Sequence, residues 1–116
     1  MKRFLAVYTG SQAASAAWEK LSDSDRQTRQ AQGMAAWKAW ATTNAASIVE
    51  MGGPLSRTKL VSSEGVADVR NNLAAFTIVQ AKSHDEAAKL FLNHPHIAVF
   101  PGEGVEIMEV LPVPQG

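Results

Sequence analysis

Three stretches of this chain are apolar on both sides when read as extended strands, and this limits its possible folds more than any motif does. In residues 4–9, Phe4, Ala6 and Tyr8 point one way while Leu5 and Val7 point the other. In residues 73–80, Ala74, Phe76 and Ile78 oppose Leu73, Ala75 and Val79. In residues 105–111, Met108 and Val110 oppose Val105, Ile107 and Leu111. A sheet with one wet face alternates apolar and polar residues, and these strands do not. Two helices can cover only one face. The other would expose aromatic and aliphatic side chains beyond the roughly 300–600 Å² patch usual on a monomer. A second copy pressed sheet to sheet removes the excess, and isologous twofold pairing is the commonest way to do so. The expected partner is therefore the chain itself, as a homodimer through the sheet face. The alternative is a monomer in which small residues such as Ala74 and Ala75 relax the demand.

The remaining elements fall between these strands. Residues 12–20 are alanine-rich around Trp18 and suit a short helical turn. Ser22 followed by Asp23 and Asp25 is a helix start, with a hydroxyl cap and acids where the helix dipole favours them. Gly33, Ala36, Trp37, Trp40, Ala41, Asn44 and Ile48 recur at steps of three and four, marking one face of a long helix that ends near Asn44. Gly33 inside it disfavours the helix by about 1 kcal/mol against alanine, which points to something packed closely there. Residues 47–51 read as a strand stopped by Gly52-Gly53-Pro54, and residues 58–61 as a short strand before a turn at 62–65. Ser83-His84-Asp85-Glu86 is a capping box leading a helix with Ala87, Leu90, Phe91 and His94 on one side, stopped by Pro95. The order β-α-β-(β)-β-α-β predicts an α+β fold: a ferredoxin-like split β-α-β antiparallel sheet with helices on one face, pairing as a dimeric α+β barrel. Residues 1–116 are expected to form one domain.

Composition narrows the functions. Eleven basic and eleven acidic residues cancel, and the basic ones are scattered, so neither nucleic acid nor an anionic membrane is an expected partner. Without cysteine there is no disulfide, thiol nucleophile or cysteine zinc site. The apolar run after Met1-Lys2-Arg3 is too short for an export signal, which makes the cytoplasm the expected location. No Gly-rich loop matches a phosphate cradle and no nucleophile elbow is present, so no cofactor is expected.

The histidines are the only side chains that ordinarily titrate near neutrality. His84 sits in a helical first turn and reads as an exposed structural residue. In His94-Pro95-His96 the proline biases His94 toward extended backbone, which would aim both imidazoles the same way. They could share Glu103 or Glu106 for acid/base work, or simply cap a helix end and pack a loop. Two ligands make a poor zinc site, so no metal is expected. The candidate catalytic residues are His94 and His96, with Tyr8 or Glu106 as orienting partner. Trp18, Trp37 and Trp40 with Tyr8 and Phe76 could line a cavity or serve only as core. Trp37, Trp40, Phe76 and Glu106 are the candidate ligand-binding residues. Glu50, Glu106 and Glu109 could instead be solvent-facing or paired with Arg57, Lys59 or Lys2.

Several of these segments resemble the YCII-related family. They are the opening strand Lys2-Arg3-Phe4-Leu5-Ala6-Val7-Tyr8, the Leu21-Ser22-Asp23-Ser24-Asp25 and Ser83-His84-Asp85-Glu86-Ala87 helix starts, Asn93-His94-Pro95-His96, and the strands at 73–79 and 105–110. The resemblance implies a ferredoxin-like dimeric α+β barrel of unassigned role. Some members of that family were proposed to use a His/Asp pair in a cleft by the sheet. This chain has no histidine before His84 and holds Ser63-Glu64-Gly65-Val66-Ala67-Asp68 where one branch has D-G-P-F, so no catalytic residue transfers. The reading is a small dimeric protein that binds a small molecule. The alternative is an enzyme using acid/base chemistry in a pocket between sheet and helices.

Overall fold

In the computed structural model, which describes residues 1–114, the first strand runs Lys2–Gly10 (β1) and lies inside a four-stranded sheet. Ser11 caps α1 (Gln12–Glu19) by accepting from the Ala14 amide, and Ser22 caps α2 (Asp23–Thr43) by accepting from Asp25. Arg26 pins the corner between them, donating to the Glu19 and Leu21 carbonyls and pairing with Asp23. A single 3-10 turn (Ala45–Ser47) leads into β2 (Ile48–Pro54). A separate hairpin follows, β3 (Thr58–Ser62) and β4 (Gly65–Val69), and then β5 (Leu73–Ala81) returns to the sheet. Ser83 caps α3 (His84–Lys89), α4 (Pro95–Ala98) follows, and β6 (Gly102–Glu109) ends the fold. No described helix is long and apolar enough to cross a membrane.

The sheet order is β2-β5-β1-β6 with every pair antiparallel. Leaving out the hairpin, this is the split β-α-β topology that the element order implies. Tyr8 faces Ala75 and Val105, and Phe4 faces Val79 and Glu109. One side of the sheet therefore carries Phe4, Ala6, Tyr8, Thr77, Val79 and Ala81, all buried against Ala87, Phe91, His94 and His96 from the segment between β5 and β6. Trp37 and Trp40 of α2 close this core from the side. The other side presents Leu5, Val7, Phe76 and Ile78, half-buried, beside the exposed Met108. Glu106, opposite Val7, and Glu50, opposite Ile78, rim that apolar strip.

Three local expectations change. The strand at 48 does not stop at Gly52-Gly53-Pro54 but runs through it, with two breaks in register. It can do so because β2 is an edge strand, where proline needs no ladder donor. Gly52 also adopts φ +67 with the Phe76 carbonyl packed directly against it, which no side chain would permit. The turn after β3 joins a second strand, so the hairpin is complete. Pro95 does more than end a helix: α3 already stops at Lys89, Asn93 turns the chain at φ 58, and Pro95 opens α4 from its first turn.

The hairpin is the outlier of the fold. Every residue of β4 and all of β3 except Thr58 is exposed, including Leu60, Val61 and Val66. Its one cross-strand ion pair, Lys59 to Asp68 at 2.7 Å, lies in water. The radius of gyration is 16.2 Å, against about 13 Å for a compact chain of this length. A projecting arm accounts for the excess.

Candidate functional site

The site is built around Tyr8, whose ring is buried and whose hydroxyl lies 2.9 Å from Thr77 Oγ1. Thr77 in turn donates to the Met51 carbonyl at 2.9 Å, which uses its only proton. Tyr8 must therefore be the donor to Thr77, and a fixed chain runs from Tyr8 through Thr77 to the backbone of β2. Burial pushes the Tyr8 hydroxyl up to about 12, against a smaller opposing pull from its bond to Thr77. At neutral pH it is a phenol.

His94 packs in the same buried cluster. Its backbone sits at φ −57 and ψ 143, the extended form that a following proline imposes, and from there it caps α4. The cap is made by the ring itself, since Nδ1 accepts from the His96 amide at 3.0 Å. An accepting Nδ1 carries no proton, so the proton belongs on Nε2. Rings surround it: Trp37 and Trp40 at 4.5 Å between centroids, Tyr8 at 5.0 Å and Phe91 at 5.9 Å. His94 is fully buried and Nε2 has no hydrogen-bond partner. Burial chiefly, and the neighbouring His96 secondarily, lower its pKa to about 4. The ring is a neutral donor with nothing to donate to.

His96 packs edge-on to Tyr8 at 5.3 Å, and its Nε2 donates to the Thr9 carbonyl at 2.8 Å. The β1 register slips on both sides of Thr9, where the strand begins to leave the ladder. Gly102 permits this arrangement, because a Cβ there would fall on the His96 ring and carbonyl. His84 lies apart: it is exposed, stacked on Phe4 at 5.4 Å, and donates to the Ile107 carbonyl at 2.7 Å.

The three residues expected to carry chemistry, Tyr8, His94 and His96, are thus brought together. The expected sharing of Glu103 or Glu106 between the histidines is not what forms. Each imidazole bonds to backbone instead, and Glu106 points from the opposite side of the sheet. The ligand-binding set divides in the same way. Trp37 and Trp40 pack against His94, while Phe76, opposite Val7, lies on the uncovered face with Glu106. Trp18 stands outside the cluster against Phe100, at 6.4 Å. No ion pair joins Glu50, Glu106 or Glu109 to a described basic residue. Among the described residues no three His, Asp or Glu side chains gather as metal ligands.

Sequence reasoning missed Thr77 and Phe100. Thr77 was detectable as the one hydroxyl on the strand side that also carries Ala75 and Val79. Phe100 was not, because its role depends on Gly33 of a distant helix: a Cβ on Gly33 would lie 2.5 Å from the Phe100 ring. The tight packing that a glycine in mid-helix implied is this contact.

No family model matches the chain, and no curated protein does. Among solved structures it is similar to 5-chloro-2-hydroxyhydroquinone dehydrochlorinase (TftG) from Burkholderia phenoliruptrix AC1100, in a complex with 2,5-dihydroxybenzoquinone. The two share 18% identity and a TM-score of 0.54, with 91% of this chain and 90% of that one covered. At that identity the likeness extends to the α+β fold.

Proposed function

We propose that this chain is a YCII-related homodimer that binds a small, flat, oxygen-bearing molecule within the cluster formed by Tyr8, Trp37, Trp40 and His94. One observation carries the reading: the unpartnered Nε2–H of His94, fully buried among four aromatic rings. A buried donor without an acceptor costs about 1–3 kcal/mol, and a ligand carbonyl or phenolic oxygen recovers that cost. The aromatic walls suit a ring. The fold neighbour was solved with 2,5-dihydroxybenzoquinone, a compound of this class.

The likeness to a dehydrochlorinase favours the second reading, catalysis. In that reading His94 polarises rather than abstracts. Its Nδ1 is held by the His96 amide and its Nε2 already carries the proton, so a neutral imidazole donates to a substrate oxygen on which charge develops. Tyr8 fixes the ring by packing against it.

The dimer reading rests on the uncovered apolar strip and on the hairpin, which has no support within its own chain and would be marginal alone in water. A second copy seated on the strip gives both a place. The test of the binding site is a titration of ¹⁵N-histidine-labelled protein with 2,5-dihydroxybenzoquinone, following the His94 Nε2–H resonance. It should move saturably, and His94→Phe should abolish the binding. A resonance unmoved by this compound and by simple phenols would overturn the assignment. Mass in solution tests the assembly: twice 12.4 kDa supports it and 12.4 kDa refutes it.

A further inference from the structure

A pocket lies beside α1, outside the histidine cluster. In α1, Ala14, Ala17 and Trp18, together with Leu21 just past its end, follow the three- and four-residue steps of one helix face. Such a stripe ordinarily packs on the core, yet no residue of α1 is fully buried. The stripe instead faces Val99, Phe100 and Pro101 of the segment between α4 and β6, across a pocket of about 400 Å³. This is the size of a small-ligand site.

Among the described residues that line it, Arg29 is the one that carries a charge. The geometry of α2 puts it there: Arg26, Arg29, Gly33 and Trp37 follow one another along a face at helical steps. Gly33 lets Phe100 lie against the helix backbone, so Phe100 forms a wall of the pocket and Arg29 stands one turn away. Arg26 is consumed by the corner it pins. Arg29 forms no ion pair with a described carboxylate. The pocket is otherwise walled by an indole, a phenyl ring, Leu21, Val99, Pro101 and two alanines.

We infer that this pocket binds an aromatic monocarboxylate, with its ring against Trp18 and Phe100 and its carboxylate on the Arg29 guanidinium. A single guanidinium matches one carboxylate through two parallel hydrogen bonds. Among the described lining residues there is no second cation and no hydroxyl, which argues against a phosphate, since a phosphate carries more charge and more acceptors. This site is separate from the His94 cluster, since the rings of Phe100 and Trp37, 6.1 Å apart, stand between them.

The experiment titrates full-length protein with 1-naphthoate and, separately, with neutral 1-naphthylmethanol, following the Trp18 indole N–H by NMR, assigned with Trp18→Phe. Naphthoate should shift that resonance saturably and the alcohol at least tenfold more weakly, the worth of a charged hydrogen-bonded contact. Arg29→Gln should weaken naphthoate by about tenfold, with Arg29→Lys intermediate, because lysine keeps the charge and loses the fork. Arg29 is exposed, so both variants should fold, which the unchanged dispersion of the spectrum would verify. His94→Phe should leave naphthoate binding unaltered, which separates this site from the histidine cluster. Equal affinity for acid and alcohol, indifference to Arg29→Gln, or no shift at Trp18 would each overturn the assignment.

Discussion

The two faces of the sheet come from the same strands, alternate residue by residue, and have opposite fates. On β1, Phe4, Ala6 and Tyr8 have no exposed surface, while Leu5 and Val7 between them are only half-buried. Hydrophobic content does not separate the two sets; what covers them does. The covered face also holds a polar chain (Tyr8, Thr77 and the Met51 carbonyl) and two histidines, each group placed by a specific bond. On the open face, Gln80, opposite Arg3, donates to the Ala46 carbonyl at the periphery. Glu50 and Glu106 stand at the rim of an apolar strip. The proposed site and the proposed interface thus lie on opposite faces of one sheet.

The largest expected effect tests that contrast directly. Ala6→Asp places a carboxylate in the sealed face and should cost about 4 kcal/mol or more, enough to unfold the domain. Val7→Asp, one residue on, faces outward. It should leave the monomer folded, with unchanged far-ultraviolet dichroism, while the mass in solution falls from two chains to one. If both variants unfold alike, or if Val7→Asp keeps its mass, the open face is not the interface.

The next effect belongs to the covered face alone and is set by pH. The unfolded chain's His94 takes a proton near pH 6.5, whereas burial delays protonation in the fold to about pH 4. Between these values the unfolded state binds more protons, so stability rises with pH across the window and is lost as the solution is acidified through it. The full difference is about 3 kcal/mol. There is a structural reason for the penalty: a proton on Nδ1 would confront the His96 amide, a donor against a donor, and break the cap on α4. Urea midpoints measured from pH 7 to pH 4 should fall steeply in the native chain and more gently in His94→Phe. Parallel curves would mean that His94 is not held neutral.

Much of this was legible in the sequence because it is local. Strand parity, serine caps and the long helix each need only a window of a few residues, and the sheet strands, the Ser22 and Ser83 caps and the α2 face follow from such windows. The elements that escaped depend on partners far along the chain. Gly52-Gly53-Pro54 reads as a stop until the edge position of β2 and the Phe76 carbonyl are known. The second strand of the hairpin, Gly65–Val69, buries nothing in its own chain, so no apolar face announces it. Within the site, the meeting of Tyr8, His94 and His96 was foreseeable as residue types. That Glu106 and Phe76 belong to the other face follows only from the register of β1 against β5 and β6.

Gly33→Ala sharpens the comparison at the seam between the histidine cluster and the Trp18 pocket. In an exposed helix this change stabilises by about 1 kcal/mol. Here the new methyl would meet the Phe100 ring at 2.5 Å and push it off α2, so the expected result is a loss of about 1–2 kcal/mol. The ring's displacement also loosens the Trp18 wall, and naphthoate binding should weaken in the same variant. A raised melting temperature would show that Phe100 yields freely and that Gly33 is no constraint.

Tyr8→Phe gives the smallest effect and the finest test of the covered face. Thr77 keeps its bond to the Met51 carbonyl, so the change removes one hydrogen bond and leaves no donor stranded, and should cost about 1 kcal/mol. Its pH signature runs opposite to that of His94. In the native chain the unfolded phenol ionises near pH 10 and the buried one near 12, so the fold retains its proton longer and stability declines as pH rises through that interval. Tyr8→Phe removes this decline while leaving the acid limb intact, because His94 and His96 keep their backbone bonds without the phenol. Should the acid limb flatten together with the alkaline one, the phenol and the imidazole titrate as a coupled pair, and the cluster's polarity would have to be assigned to both.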